Sequence, residues 1–392
     1  MSRPRILVVH NRYQQRGGED AVVEAEVALL RAHGHPVRLY ARSNDEVRTM
    51  TRIGVVADTL WSRRTSHDIT DQITRFRPDV VHVHNTFPLV SASLYWAASR
   101  LGVPVIQTLH NFRLLCPQAM FLRDGHVCED CLGKIPWRAA TRRCYHDSFT
   151  HSAVQVAALG VHRVLRTYDT QIDRYIALTA FCRDKFVAGG LPADKIAIKP
   201  NFVEIPAAAN AAAARRGILF AGRLAPEKGT AVLLQALDLA PELELEVIGS
   251  GPDEPRLRQH PRVRMLGWLA PEALYERMRQ AACLVMPSIW YENFPRTLVE
   301  AFASGLPVIG SRLGALAEII DDGHTGLLFE TGSAAALAEK MRWALANRRL
   351  MSRMGENARA EYDARFTPER NYEQLAAIYG DVIAAKRMPV AV

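Results

Sequence analysis

The chain reads as an α/β protein made of two doubly wound domains, and three observations predict this. Short apolar runs of strand length, such as Arg5–His10, Val80–His84 and Gly217–Leu224, alternate with stretches of helical period along most of the sequence. That alternation is the sequence form of a parallel sheet covered by helices. It stops at Ile205–Ala214, an alanine-rich segment poor in large side chains that reads as an inter-domain linker, and then restarts. At 392 residues the chain is also long for a single hydrophobic core.

Composition narrows the class further. With 48% hydrophobic and 23% charged residues the chain has the make-up of an ordinary soluble globular protein. The apolar run Ile6–Val9 is too short for a signal peptide, and no stretch reaches the eighteen or so apolar residues of a membrane span. We expect a cytoplasmic protein whose six cysteines are thiols or metal ligands rather than disulfides. The net charge of +8 is unevenly placed: residues 1–205 carry 27 Lys and Arg against 19 Asp and Glu, and residues 206–392 carry 22 of each. A basic first half suits a partner bearing phosphates, either an anionic membrane surface at the inner membrane face or a lipid-diphosphate acceptor. A solvated basic surface is the bland alternative.

In the first half, strands are expected at Arg5–His10, Val37–Ala41, Val80–His84, Val103–Leu109, Tyr175–Thr179 and Lys195–Lys199. Helices are expected at Ala21–Ala32, Ser91–Arg100, Ser152–Thr167 and Phe181–Ala188. Between the first strand and helix lies Gly17-Gly18, which lets backbone approach a ligand where open sheets bind substrates. Neither G-x-G-x-x-G nor a P-loop occurs. His82 and His84 share one strand face and read as packed or substrate-lining, and His110 stands at a strand's C-terminal end. Residues 112–148 break the α/β rhythm. The spacing Cys116-x11-Cys128-x2-Cys131-x12-Cys144 can wrap a structural zinc ion, the alternative being reduced, packed thiols.

The second half opens with the strand Gly217–Leu224 and the loop Gly222-Arg-Leu-Ala-Pro-Glu-Lys-Gly229, in which Arg223 and Lys228 can hold a diphosphate, one as a fork and one as a point charge. Leu245–Ile248 leads into a turn at Gly249, where backbone could pass beside a nucleotide, and Val263–Gly267 is a further strand. Between the strands Cys283–Ser288 and Pro307–Gly310 lies Glu292-Asn-Phe-Pro-Arg-Thr-Leu-Val-Glu-Ala-Phe-Ala-Ser-Gly-Leu-Pro307. We expect a short helix there, with Asn293 as N-cap, Pro295 in the first turn and Gly305 as its end. Glu292 then sits at the positive end of the helix, and Glu300 lies further along it. Three helical segments follow between Ser333 and Arg387.

The Glu292–Pro307 segment, with the Gly222–Gly229 loop and Thr108-Leu-His-Asn111, resembles glycosyltransferase family 4, the retaining enzymes of GT-B fold that use nucleotide-sugar donors. The resemblance implies two Rossmann-like domains facing across a cleft, the first over 1–205 for the acceptor and the second over 206–367 for the donor. It further implies that residues 368–392 form a helix crossing back onto the first domain. In this reading Glu292 meets donor-sugar hydroxyls, Glu300 meets the ribose, and His110 lies near the donor sugar. Arg223, Lys228 and the N–H groups of Phe294 and Arg296 receive the diphosphate. Pro295 departs from the family, in which many members carry glycine, and removes one N–H donor. No D-x-D occurs, so protein cations stand where a metal clamp would, and no cofactor is expected for the chemistry beyond the donor substrate. The acceptor is expected to be a lipid-linked or cell-envelope glycan. A nucleotide-sugar epimerase or a phosphorylase on the same scaffold is the alternative enzyme class. A zinc-ribbon nucleic-acid binder is the non-enzymatic one, disfavoured by the lack of clustered aromatic and basic stretches outside residues 112–146.

Overall fold

A computed structural model describes residues 3–206 and 215–387; most of the alanine-rich segment, residues 207–214, lies outside them. By its contacts the chain divides into two compact units, Met1–Phe121 with Glu129–Pro200 and Asn371–Val392, and Leu122–Cys128 with Asn201–Arg370. The change of unit thus falls after Pro200, a few residues before the alanine-rich run.

The first unit is built on six strands: β1 (Ile6–Arg12), β2 (Val37–Ser43), β3 (Val80–Val83), β4 (Val105–Leu109), β7 (Arg174–Ala177) and β8 (Ile196–Ile198). Between β4 and β7 the cysteine-bearing stretch includes a two-residue antiparallel hairpin, β5 (Leu122–Arg123) with β6 (His126–Val127). The six strands are parallel, in the order β2-β1-β3-β4-β7-β8. Ile6 pairs with Val37 on one side and Val80 on the other. Both faces of the central strands are covered by helices, which explains their unbroken Val, Ile and Leu runs. The helix Gly18–Ala32 buries Val23, Val27 and Leu30 on this sheet. The long helix Pro368–Arg387 covers the same layer with Leu375, Tyr379, Val382 and Ile383. It is pinned by Asn371 donating to Pro200 O at 2.7 Å, and by ion pairs from Lys386 to Asp173 and from Arg387 to Asp79.

The second unit carries β9 (Ile218–Ala221), β10 (Leu245–Ile248), β11 (Val263–Gly267), β12 (Cys283–Met286), β13 (Val308–Ser311) and β14 (Gly326–Phe329). All are parallel, in the order β11-β10-β9-β12-β13-β14. The strand order turns back between β9 and β12, and in the first unit between β1 and β3. The C-terminal ends of those strand pairs are where open α/β sheets receive ligands.

Candidate active site

In the second unit the two strands at the switch point each release one loop, and the two loops are fastened together. Ile289 N donates to Glu227 O at 3.0 Å. Gly229 sits at φ +75°, and a Cβ there would lie 1.8 Å from Pro287 O, so only glycine lets the loops close this tightly. The fastening brings Lys228 and Glu292 together across 64 residues of sequence, with Nζ 2.6 Å from Oε1. Ser288 Oγ donates to the same oxygen at 2.8 Å, and the ammonium lies 5.2 Å from the Trp290 ring centroid. Glu292 is 4% exposed. Burial pushes its pKa up, but Lys228 and the hydroxyl of Ser288 outweigh this and hold it below the usual carboxylate range.

Arg223 follows β9 directly, is largely exposed, and pairs with Glu227 of its own loop. Glu300 lies in the helix Arg296–Ala303, where its Oε1 accepts from Arg296 Nε at 2.9 Å. Burial raises the Glu300 pKa, and Arg296 only partly offsets that. The helix starts later than the sequence suggested. Its N-cap is Pro295, in extended conformation, rather than Asn293, so Pro295 precedes the first turn instead of standing in it. The physical reason is that proline disfavours helical backbone in the residue before it, which keeps Phe294 out of the helix. The first N–H groups of the helix, beginning with Arg296, have no acceptor inside it. The Phe294 side chain packs against the core beside Phe366. Gly305, at φ +63°, terminates the helix as expected. Gly249 has a reason internal to the chain: at φ +132°, a Cβ there would lie 1.9 Å from Gly222 O.

In the first unit, the loop after β1 contains Gly17 and Gly18. Gly17 caps the helix Gly18–Ala32, and its N–H donates to Asp20 Oδ2 at 2.9 Å. Neither glycine has positive φ or a close neighbour that a Cβ would strike. Glu19 accepts from the Tyr13 hydroxyl at 2.9 Å, and burial pushes its carboxyl up to about 7. His110, just past the end of β4, holds His84 just past β3, with Nε2 2.8 Å from Nδ1. Both line a cavity of about 70 Å³ that also touches Tyr95, Gln107, Arg113 and His162.

Behind these histidines lies a polar cluster that sequence reasoning missed. Glu26, 2% exposed, accepts from Lys199 Nζ at 3.1 Å, and Lys199 is fully buried and also reaches Asn371 Oδ1 at 3.2 Å. The other oxygen of Glu26 lies 3.1 Å from His82 Nδ1 and 3.3 Å from His84 Nε2. These three atoms are close enough to one another to surround a cation. The Lys199 ammonium on the same carboxylate already supplies the positive charge, however, and opposes a second cation there. Among the described residues this is the one such group, and none of the four spaced cysteines belongs to it. Among the described residues no cysteine is in a disulfide. Glu26 could have been suspected, because it shares the buried helix face with Val23, Val27 and Leu30. Lys199, one residue beyond β8, gives no such sign.

The chain matches the family of group 1 glycosyl transferases over residues 203–361 and glycosyltransferase family 4 over residues 16–205. It is 32% identical to a phosphatidyl-myo-inositol mannosyltransferase of Mycobacterium leprae, over 88% of this chain and 89% of that one. It is 35% identical to a D-inositol 3-phosphate glycosyltransferase of Streptomyces coelicolor, over 82% and 72%. Among solved structures it resembles Anabaena HepE in complex with UDP and glucose, with a TM-score of 0.68 at 18% identity over 96% of this chain and 99% of that one. Sucrose-phosphate synthase from Thermosynechococcus elongatus gives a TM-score of 0.71 at 18% identity over 97% and 100%. At that identity the two structures speak for the fold, which is the GT-B architecture of two Rossmann-like domains, while the sequence matches speak for the family. The chain belongs to the group 1 enzymes of glycosyltransferase family 4.

Proposed function

We propose that this protein moves a hexose-type sugar from a nucleotide-diphosphate sugar to a hydroxyl of a lipid-linked or cell-envelope glycan, with retention and without a metal ion. The observation that carries this reading is the meeting of Lys228 and Glu292 on the two loops that leave the switch point of the second sheet. Glycosyl transfer asks the protein to stabilise the charge that develops on the leaving diphosphate, to position the sugar, and to exclude water. Arg223, Lys228 and the free N–H groups at the start of Arg296–Ala303 serve the first need. Glu292, as an acceptor-only carboxylate, takes hydroxyls of the sugar, and Glu300 those of the ribose. The leaving phosphate takes the acceptor proton as the new glycosidic bond forms. Gly17 and Gly18, which neither backbone strain nor packing in the chain demands, leave room over the first helix for a ligand.

Thermal stabilisation by UDP, GDP and ADP, each with its sugar conjugates, tests the donor, because a ligand that binds the folded state raises the melting temperature by mass action. Transfer of labelled sugar to a second molecule separates a transferase from an epimerase, which would change the donor alone. The four spaced cysteines are read as a structural zinc site on their spacing, and metal analysis of the purified protein tests it.

We place the protein at an anionic membrane face. Among the described residues no helix is long and apolar enough to cross a membrane. The helices Arg52–Trp61 and Arg138–Thr141 both pack on Phe149–Val164. These three helices and the residues flanking them expose Ile53, Trp137, Phe149, Val161 and Val164, and also Arg52, Arg63, Arg138 and Arg143. Mixed apolar and basic surface of this kind suits lipid headgroups. Co-sedimentation with phosphatidylglycerol vesicles but not with phosphatidylcholine vesicles is the expected result, and equal recovery with both would refute it.

A further inference from the structure

The buried cluster of the first unit bears on which ring nitrogen of His110 holds a proton. We propose that Glu26 and His84 are positioning residues that fix His110 as the tautomer protonated on Nε2, leaving Nδ1 bare as a hydrogen-bond acceptor. The proposal rests on the reading of His110 as a group that meets the donor sugar.

Lys199 and Glu26 are an ion pair in the core, so Glu26 is a carboxylate that can only accept. Its Oε1 and His84 Nε2 lie 3.3 Å apart, both buried and neither in an aligned hydrogen bond, while His82 Nδ1 lies 3.1 Å from the same oxygen. A bare nitrogen in that place would set one lone pair against another beside a negative charge. His84 therefore carries its proton on Nε2, and its Nδ1 is an acceptor. The partner of Nδ1 is His110 Nε2 at 2.8 Å, which must then be the donor. A neutral imidazole has one ring proton, so His110 Nδ1 is left bare.

The surroundings keep both rings neutral. Burial, followed by the neighbouring His82, lowers the His84 pKa to about 4, and burial, followed by His84, holds His110 well below its ordinary value. The other titratable groups around the pair fit the same assignment. His82 bonds Tyr379 OH and Thr108 Oγ1, and His10 is occupied by Asp20 at 2.8 Å. A bare Nδ1 accepts from a sugar hydroxyl and cannot donate to a phosphate oxygen. His110 would thus select for a hydroxyl on the transferred sugar.

The test is the nitrogen spectrum of the full chain labelled with 15N-histidine, with His110 identified by its loss in His110→Gln. At pH 7.5 the expected pattern is a protonated Nε2 and an unprotonated Nδ1. The reverse pattern, an average of both tautomers, or a doubly protonated ring overturns the proposal. A second variant, Glu26→Leu with Lys199→Met, removes both buried charges, a replacement cores often tolerate. It should give a mixture of tautomers at His110, and an unchanged single tautomer would remove Glu26 from the argument. His84→Phe keeps a ring but no acceptor. It should lower kcat about tenfold to a hundredfold, as loss of the outer partner of a metal-bound histidine does, with nucleotide affinity unchanged. Full transfer by His84→Phe alongside an inactive His110→Ala overturns the positioning role. Full transfer by His110→Ala instead overturns the sugar-contact reading, and the spectrum still decides the tautomer.

Discussion

Replacing Lys228 by Met isolates the charge on which the donor reading turns. At 2.6 Å and an effective dielectric constant of about 20, the attraction between Lys228 and Glu292 is roughly 6 kcal/mol before desolvation is counted. Most of that is offset by the burial of Glu292, so the pair by itself adds little to stability. Removing one partner is different, because Glu292 remains buried without its cation. Breaking a fully buried pair costs about 3–5 kcal/mol. Lys228 is 22% exposed, so water reaches this pair and the cost falls to about 1–3 kcal/mol. The melting temperature of Lys228→Met should therefore fall, and that of Lys228→Met with Glu292→Gln should recover most of the loss. Catalysis should not follow stability. Loss of one charge contact to a developing oxyanion costs about 2–4 kcal/mol in kcat/KM, or roughly 30-fold to 1000-fold, and the double variant should stay as poor as the single one. The assay is differential scanning fluorimetry with and without the nucleoside diphosphate, paired with steady-state transfer. If Lys228→Met keeps full stabilisation by the diphosphate, or if the double variant regains transfer with stability, the pair is structural and the phosphate assignment fails.

Three further outcomes are expected. Glu300→Gln should weaken nucleotide binding, whereas Glu292→Gln should depress transfer more than nucleotide affinity; calorimetric titration of both with the free diphosphate would expose a reversed order. Gly229→Ala forces a Cβ to 1.8 Å from Pro287 O at a left-handed backbone position, which should cost at least about 2 kcal/mol of stability and separate Lys228 from Glu292, as urea titration and transfer kinetics can show. Acidification should destabilise the first unit early. The unfolded chain protonates His84 near pH 6.5 while the folded chain resists until about 4, so this stabilisation is complete above pH 6.5 and is lost on descent, by about 3 kcal/mol from His84 alone; His10 and His110 act in the same direction, and a flat urea midpoint between pH 7 and pH 5 would contradict it.

The parallel sheets were legible because buried strands such as Ile6–Val9 and Cys283–Met286 are apolar on both faces and leave a continuous signal. β14 was overlooked because Gly326-Leu-Leu-Phe329 is short and follows the polar turn Asp321–Thr325, where no alternation announces a strand. The helix start near Glu292 was misplaced because capping preferences favoured Asn293, while the restriction that Pro295 imposes on Phe294 proved stronger. In the donor loops the residue types were readable and their pairing was not. Arg223 and Lys228 look equivalent in sequence, but the turn at Gly229 gives Lys228 to Glu292 while Arg223 remains beside Glu227.

That asymmetry extends to the two units as chemical environments. The second unit gathers full charges and leaves them partly wet: Arg223 is 60% exposed and Lys228 22%. A phosphate can therefore exchange with water and with the resident carboxylates at modest desolvation cost. The first unit does the opposite. It seals one ion pair, Lys199 with Glu26, behind neutral histidines and brings only His110 toward the surface. A fixed charge buried that deeply does not bind a ligand; its field sets the protonation of the rings in front of it. The pattern accords with a division of labour in which the second unit supplies the cations for the leaving group and the first adds one neutral ring acceptor, His110. It also makes Lys199 the residue whose loss should be felt furthest from itself. In Lys199→Met, Glu26 loses its cation and should take up a proton. It could then donate to His84 Nε2, the order of donors along His84 and His110 would reverse, and His110 would present an N–H where a hydroxyl needs an acceptor. Transfer should fall in that variant while diphosphate affinity in the second unit stays as it was. A parallel loss of both would mean that Lys199 matters only for folding.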